Sequence, residues 1–195
     1  MKRQWHFLVT ACLFVVTGCE DAGTRPAPVP VPATPPPVEA AAAENAFEHS
    51  AQGDLSGYYL PMSEVAIGSL RLDHIFLGQA FEFEAWENSE TSPTFAPVML
   101  QFDDVSSPMV ATELGEAHSV TVRVLPTRYS VTDDAIRFTG TSEKLGSVSF
   151  TARLDQDALA IARRNLGDEG AVLTGTLVAG GRRFDDVRFR WYGGD

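Results

Sequence analysis

Two histidines, His74 and His118, are the side chains of the C-terminal part of the chain best suited to acid–base chemistry. A nucleophilic serine would need such a base together with an orienting acid, but the chain contains no Gly-x-Ser-x-Gly elbow. Both histidines fall on the apolar parity of their predicted strands, beside Leu72 and Val120. They are therefore expected at strand ends or partly in the core. The alternative is that the two histidines share an internal site.

Three acidic doublets could supply carboxylate ligands to a cation. They are Asp103-Asp104, Asp133-Asp134 and Asp185-Asp186. None of them has the spacing of an EF-hand loop with its glycine and final glutamate, and Asp-Asp at a strand end is common turn chemistry. Zinc usually takes three or four ligands, whereas the domain has two distant histidines and no free cysteine. We therefore predict neither a metal nor a cofactor.

Charge distinguishes the two halves of the C-terminal part. The whole chain has 26 acidic and 15 basic residues, for a formal net charge of -11, which disfavours nucleic-acid binding. Between Arg71 and Arg123 there are nine acidic residues and no basic one. Four of the nine form a candidate docking face for a basic protein partner, two on the wet side of a predicted strand and two in the loop after it. These four are Glu82, Glu84, Glu87 and Glu90. The alternative is a solvated face that keeps the protein soluble.

Period-two alternation of apolar and polar residues predicts strands over most of this part. The predicted strands are 70–76, 81–84, 98–103, 119–124, 127–132, 135–139, 148–154, 171–178 and 183–192. Such half-buried strands form antiparallel sheets, and their close spacing leaves no room for the crossover helices of a parallel sheet. We expect a mainly β domain of about 8–9 strands, an antiparallel β-sandwich or a small β-barrel, with the sandwich slightly favoured.

A short helix and a final hairpin have the clearest local signals. Asp155 is a plausible N-cap for a helix over 156–166, which ends with two arginines before Gly167. The last two strands are joined at Gly180-Gly181, which supplies the positive φ angles of a tight turn. Phe184 has the opposite parity to the other apolar residues of its strand, which predicts a bulge at Asp185-Asp186 if Phe184 is also buried.

The N-terminus has the pattern of an export signal. Lys2 and Arg3 precede the ten-residue apolar run 7–16, which is too short to span a bilayer comfortably. The following Val16-Thr17-Gly18-Cys19 resembles the lipobox of bacterial lipoproteins. The resemblance implies cleavage between Gly18 and Cys19 and attachment of diacylglycerol to the Cys19 thiol, often with acylation of the new amino group. Two or three acyl chains would hold the protein stably on a membrane.

The chain therefore divides into three predicted parts: 1–18 as signal peptide, 19–53 as lipidated cysteine and tether, and 54–195 as a single β-rich domain. In the tether, seven of the twelve residues from Pro26 to Pro37 are proline, which favours an extended spacer. The expected location is the cell envelope, with the outer membrane favoured over the inner and the domain in the periplasm or at the cell surface. We expect a monomer.

The function expected from these features is non-enzymatic binding of another envelope protein, for example as an inhibitor or immunity-type protein. The alternative is a carrier of a small apolar ligand, because Leu55-Ser56-Gly57-Tyr58-Tyr59 resembles the start of calycin-like barrels. That resemblance implies a cavity inside the barrel. A third possibility is an enzyme that uses His74 or His118.

Overall fold

The computed structural model of the protein describes residues 46–113 and 115–194. These residues are mainly β, as the alternating pattern predicts. The strands are β1 (Phe47–His49), β2 (Gly57–Pro61), β3 (Ala66–Ile67), β4 (Leu70–Leu77), β5 (Val98–Asp104), β6 (Met109–Thr112), β7 (Gly115–His118), β8 (Thr121–Val124), β9 (Pro126–Val131), β10 (Ala135–Ser142), β11 (Gly146–Leu154), β12 (Leu173–Ala179) and β13 (Arg182–Tyr192). The helices are α1 (Ala80–Glu87) and α2 (Gln156–Arg164). Neither of these two helices is long and apolar enough to cross a membrane.

Most of the strands belong to one curled sheet that forms a half-barrel. Its order is β9-β10-β11-β12-β13-β2-β4-β5-β8, all antiparallel, and β1 adds to β9 in parallel. Strand β3 pairs with β4, while β6 and β7 form a separate two-stranded hairpin. Of the two architectures left open by the sequence, this single curled sheet corresponds to the barrel rather than to the sandwich.

Strands β8 and β9 come from opposite sides of the sheet order, yet Leu125 alone separates them in the chain. Strand β8 pairs with β5, and β9 pairs with β10 and β1, so one bent segment belongs to both sides. Gly140 in β10 lies against Val124 and the Leu125 carbonyl, where a Cβ atom would collide with both. The glycine therefore permits the close approach of β8 to β10.

Because neighbouring strands of the sheet are mostly antiparallel, most of their connections lie at one of two ends of the half-barrel. Both helices and the segment 50–56 lie at one end, called here the helix end, where Arg163 of α2 donates to Asp54 and to the Ser56 carbonyl. The other end is called here the hairpin end. It holds the β6–β7 hairpin, β3, and the short turns at 143–145 and 180–181. There Arg182 donates to the Ala66 carbonyl.

The interior is filled by side chains from every side of the curl. Seven aromatic residues of the core are at most 2% exposed, and they pack with many aliphatic side chains. They are Tyr59, Phe83, Phe102, Tyr129, Phe138, Phe150 and Phe189. The rings of Phe150 and Phe189 meet edge to face, with centroids 5.6 Å apart. Apolar burial of this kind is the main stabilising contribution to such a domain.

The prediction of a strand at 81–84 is wrong, since these residues belong to helix α1. Phe83 and Trp86, three positions apart, are its buried residues, whereas Phe81 is 63% exposed. Gln79 and Glu82 form a capping box at the start of the helix. Four residues of alternation are too few to separate a strand from a short helix that buries one side.

Three local features bear on the other predictions. Helix α2 begins after Asp155, whose carboxylate accepts from the Ala158 N–H at 2.9 Å, as predicted, and ends slightly earlier, at Arg164. The predicted bulge in β13 is confirmed, because Gly175 pairs with Val187 and Leu177 with Phe184. Strand β1 falls within the range assigned to the tether, so the packed domain starts several residues before 54.

Candidate functional site

A bulge in β4 controls which side chains face outward at the middle of the sheet. Leu72 pairs with Phe102 and His74 pairs with Gln101, so Asp73 is the extra residue. The bulge reverses the alternation. Leu72 lies in the core before the bulge and Ile75 lies there after it, which leaves His74 and Phe76 on the outer face. The alternation that predicts His74 on the same face as Leu72 therefore holds only as far as Asp73, and His74 lies on the opposite face.

An aromatic stripe, defined as Tyr58, Phe76, Phe95 and Tyr192, crosses this outer face near the helix end. Cross-strand register places Tyr192 beside Tyr58 and Tyr58 beside Phe76. Their ring centroids are 6.3 Å and 5.4 Å apart, and Phe95, from the loop before β5, adds a ring 5.5 Å from Phe76. None of the four belongs to the hydrophobic core or packs against it.

The stripe is unusual for the wet face of an antiparallel sheet, where polar residues are the rule. Tyr192 is 39% exposed, and the other three rings are half-buried against one another. Neighbouring rings are inclined by 42° to 61°, so they present edges and faces rather than one flat platform. An uneven, partly exposed aromatic surface of this kind is typical of the anchor residues of protein interfaces.

A row of polar side chains lies beside the stripe, one register step toward the hairpin end. The Nδ1 atom of His74 lies 2.7 Å from Asp73 Oδ2, and the same carboxylate oxygen accepts from Gln101 at 3.5 Å. Gln101 in turn accepts from Arg123 Nε at 3.1 Å. His74 is 8% exposed and meets the Tyr58 ring edge-on at 4.9 Å. The network fixes the side chains that border the stripe.

His118 does not join His74 in a common hydrogen-bonded site. The Nδ1 atom of His118 lies 3.3 Å from the Ser107 carbonyl, whereas His74 pairs with Asp73. Both histidines lie within electrostatic range of Asp103. Burial and the nearby Asp73 raise the pKa of Asp103, against the attraction of the histidines and of its cross-strand neighbour Arg71. Within residues 46–113 and 115–194, no hydrogen bond joins either histidine to a serine hydroxyl.

The four predicted docking glutamates do not form one strand face, because three of them are on α1. The Glu82 carboxylate accepts from the Gln79 N–H at 2.7 Å, and that of Glu87 accepts from the Tyr129 hydroxyl at 3.2 Å. Glu84 and Glu90 are exposed to solvent. The placement of Glu82 and Glu84 together on the wet side of a strand is therefore wrong, although all four remain at the helix end.

The acidic doublets have structural partners. The Asp104 carboxylate accepts from the Ser106 hydroxyl at 2.6 Å, which, with a bond from the Ser69 side chain, lowers the pKa of Asp104 to about 2. Asp133 accepts from two backbone N–H groups of the segment 50–56, and Asp185 pairs with Arg183 at 2.8 Å. In the described part of the chain, no group of three or more His, Cys, Asp or Glu side chains could hold a metal ion.

The apolar-carrier alternative requires an enclosed space inside the sheet. The interior of the half-barrel is occupied by buried aromatic and aliphatic side chains, and four cavities of 330–700 Å³ are open to solvent. The predicted lipid attachment at Cys19 and cleavage after Gly18 fall outside the described residues.

The aromatic stripe is the feature that the sequence analysis missed. Tyr58-Tyr59 and Trp191-Tyr192 are adjacent aromatic pairs, and in a strand each pair must place one ring on either face. That signal was available in the sequence. The outward position of Phe76 cannot be predicted in the same way, because it depends on the bulge at Asp73.

Comparison of the chain with known protein families, with curated proteins and with solved structures finds no match. Function must therefore be argued from the geometry and chemistry of the site itself.

Proposed function

We propose that this chain is a lipid-anchored protein of the bacterial cell envelope whose β domain binds another envelope protein without catalysing a reaction. The observation that carries the proposal is the aromatic stripe of Tyr58, Phe76, Phe95 and Tyr192. An inhibitor or immunity-type role is one concrete form of this function. Anchoring through Cys19, with the outer membrane favoured, would place the domain among such partners.

The stripe supports a protein partner more than a flat ligand. Tyrosine and phenylalanine supply large contact areas at low entropic cost, and interface energy is concentrated in a few such residues. The ordered polar row beside the stripe, from Asp73 through Gln101 to Arg123, would provide the hydrogen-bonding rim of the interface. The tilt between the rings suits a partner surface with projecting side chains.

Charge favours a basic partner. The connection between the stripe residues Phe76 and Phe95 is the segment that contains α1, and all four candidate glutamates lie on it. The exposed Glu84 and Glu90 would attract a cationic protein to the helix end, next to the aromatic contacts. The partner is therefore expected to carry lysine or arginine around an apolar centre.

A catalytic role has less support from the described geometry. Hydrolytic chemistry with a serine would need a histidine within hydrogen-bond reach of the hydroxyl. His74 instead pairs with Asp73 and meets the Tyr58 ring edge-on, and His118 contacts the Ser107 carbonyl. The carrier alternative has no specific observation in its favour, because aromatic side chains fill the interior.

Photo-crosslinking in cells of the source bacterium tests the proposal. A photoreactive phenylalanine analogue placed at position 76 or 58 of the full chain should yield a discrete heavier species after irradiation. The matched control is the same analogue at Thr174, an exposed residue of β12. Mass spectrometry of the species identifies the partner and its charge.

The proposal predicts one protein cross-linked at positions 58 and 76 and none at 174. The same species at all three positions would indicate non-specific proximity in the envelope. The absence of any protein species at positions 58 and 76 would contradict a partner on the stripe.

A further inference from the structure

The outer face of β9, β10 and β11 carries a second feature, a groove made of two neighbouring cavities. One has a volume of 330 Å³ and includes Arg128 and Arg137 in its lining, and the other has a volume of 700 Å³ and includes Arg137 and Arg153. Arg137 lines both, so the two cavities lie side by side. We call this feature the arginine groove.

The three arginines follow a diagonal across the strands. Arg128 is opposite Thr139, Arg137 is on the central strand, and Arg153 is opposite Ala135. With about 3.4 Å per residue along a strand and about 4.8 Å between strands, successive Cα atoms on this diagonal are about 8 Å apart. The groove thus presents positive groups at regular intervals along a line.

Two of these charges have no counterion in the described part of the chain. All three arginines are exposed, and neither Arg137 nor Arg153 takes part in an ion pair or hydrogen bond there. Two acidic residues also line the cavities, Glu48 the smaller and Asp134 the larger. Arg137 and Arg153 therefore concentrate positive charge on this face of a chain whose net charge is -11.

Hydroxyl groups occupy the spaces between the arginines. Five side chains supply them: Ser130, Thr132, Thr139, Ser149 and Thr151. Guanidinium groups bind carboxylates through paired, directional hydrogen bonds, and hydroxyls both donate and accept. The combination matches a ligand that alternates anionic groups with hydroxyl groups.

We propose that the arginine groove binds a segment of an acidic polysaccharide, with carboxylate groups meeting successive arginines and sugar hydroxyls meeting the serine and threonine side chains. The groove is on different strands from the aromatic stripe, so this binding is independent of the protein partner proposed above. The domain would then connect an envelope protein to an anionic glycan.

Other polyanions fit the groove less well. Nucleic acids bound as single strands need exposed aromatic rings for base stacking, but Tyr129 and Phe138 are only 1% and 2% exposed. An acidic peptide would typically add to a free strand edge through its backbone. The groove instead crosses the face of the sheet and offers side-chain groups.

Isothermal titration of the full-length chain, in a neutral detergent at low salt, tests the proposal with hexagalacturonate as the carboxylated probe. The fully methyl-esterified hexamer is the matched uncharged probe, and polyglutamate tests for an acidic polypeptide. The variants are Arg137→Gln and Arg153→Gln, with Arg164→Gln as a control for the same loss of charge at an exposed site outside the groove.

Hexagalacturonate should bind, and its methyl ester should not. Each groove variant should weaken binding about tenfold, since a hydrogen bond to a charged group is worth about 1.5 kcal/mol or more, and Arg164→Gln should leave it unchanged. No binding, equal binding of the ester, or affinity unaffected by both groove variants would overturn the proposal. Tighter binding of polyglutamate would assign the groove to an acidic protein instead.

Discussion

The bulge at Asp73 makes two adjacent residues of β4 respond in opposite ways to substitution. Ile75 is fully buried in the core, whereas Phe76 lies on the outer face as part of the aromatic stripe. We therefore compare Ile75→Ala with Phe76→Thr in the full chain. Although phenylalanine is the larger of the two side chains, its replacement should be the less damaging.

The magnitudes follow from what each side chain contacts. Truncation of a buried isoleucine to alanine costs about 2–5 kcal/mol of unfolding free energy. Phe76 makes two ring contacts, with Tyr58 at 5.4 Å and Phe95 at 5.5 Å. Each such pair contributes about 0.5–1 kcal/mol, and threonine suits an exposed strand position, so Phe76→Thr should cost less than about 2 kcal/mol.

Urea denaturation followed by circular dichroism measures the free energy of unfolding of each variant and of the unsubstituted chain. The expected order is a larger loss for Ile75→Ala than for Phe76→Thr. If alternation continued unbroken from Leu72, Phe76 would be a core residue, and its replacement would cost more than about 3 kcal/mol. A loss of that size, exceeding the loss for Ile75→Ala, would refute the bulge and the outward position of the stripe.

Two further outcomes can be measured directly. Asp103 and Asp104 should respond to asparagine with opposite signs. Because the pKa of Asp103 is raised, its ionised form is disfavoured in the fold, so Asp103→Asn should raise the Tm at pH 7 and lose this effect below the usual carboxyl pKa of 3.8. The pKa of Asp104 is lowered to about 2, so its carboxylate stabilises the fold above 3.8 and ceases to do so as the pH falls toward 2. Asp104→Asn should therefore lower the Tm at pH 7 but not near pH 2, and a shift of the same sign for both variants at pH 7 would contradict the assignment. In cells fed radiolabelled palmitate, the wild-type chain and Cys12→Ser should incorporate the label, whereas Cys19→Ser should not. Equal labelling of the Cys19→Ser variant would refute the lipid anchor.

Short-range signals in the sequence predicted some parts of the fold correctly. Helix α2 has an acidic N-cap at Asp155 and basic residues in its last turn, and these act within a few residues. The bulge in β13 followed from the parity of Phe184 against its own strand. In both cases the information needed was local.

Other parts depended on long-range pairing that the sequence does not display. The bulge at Asp73 exists because β5 pairs with β4 on both sides of it, and no glycine or proline marks the place. The aromatic stripe needs β13, β2 and β4 to be neighbours, although Tyr192 and Tyr58 are far apart in the chain. Helix α1 was missed because its four alternating residues also satisfy a strand pattern.

The most direct test of the stripe as a protein-binding surface is the affinity of the cross-linked partner for the purified full chain. The double variant Phe76→Thr, Tyr58→Thr is compared with Thr174→Ala, after both are shown to be folded. One anchor residue of an interface is worth about 2 kcal/mol or more, which is about thirtyfold in Kd, so the double variant should weaken binding by at least that factor, and the control should not. An unchanged Kd for the double variant would contradict the central claim.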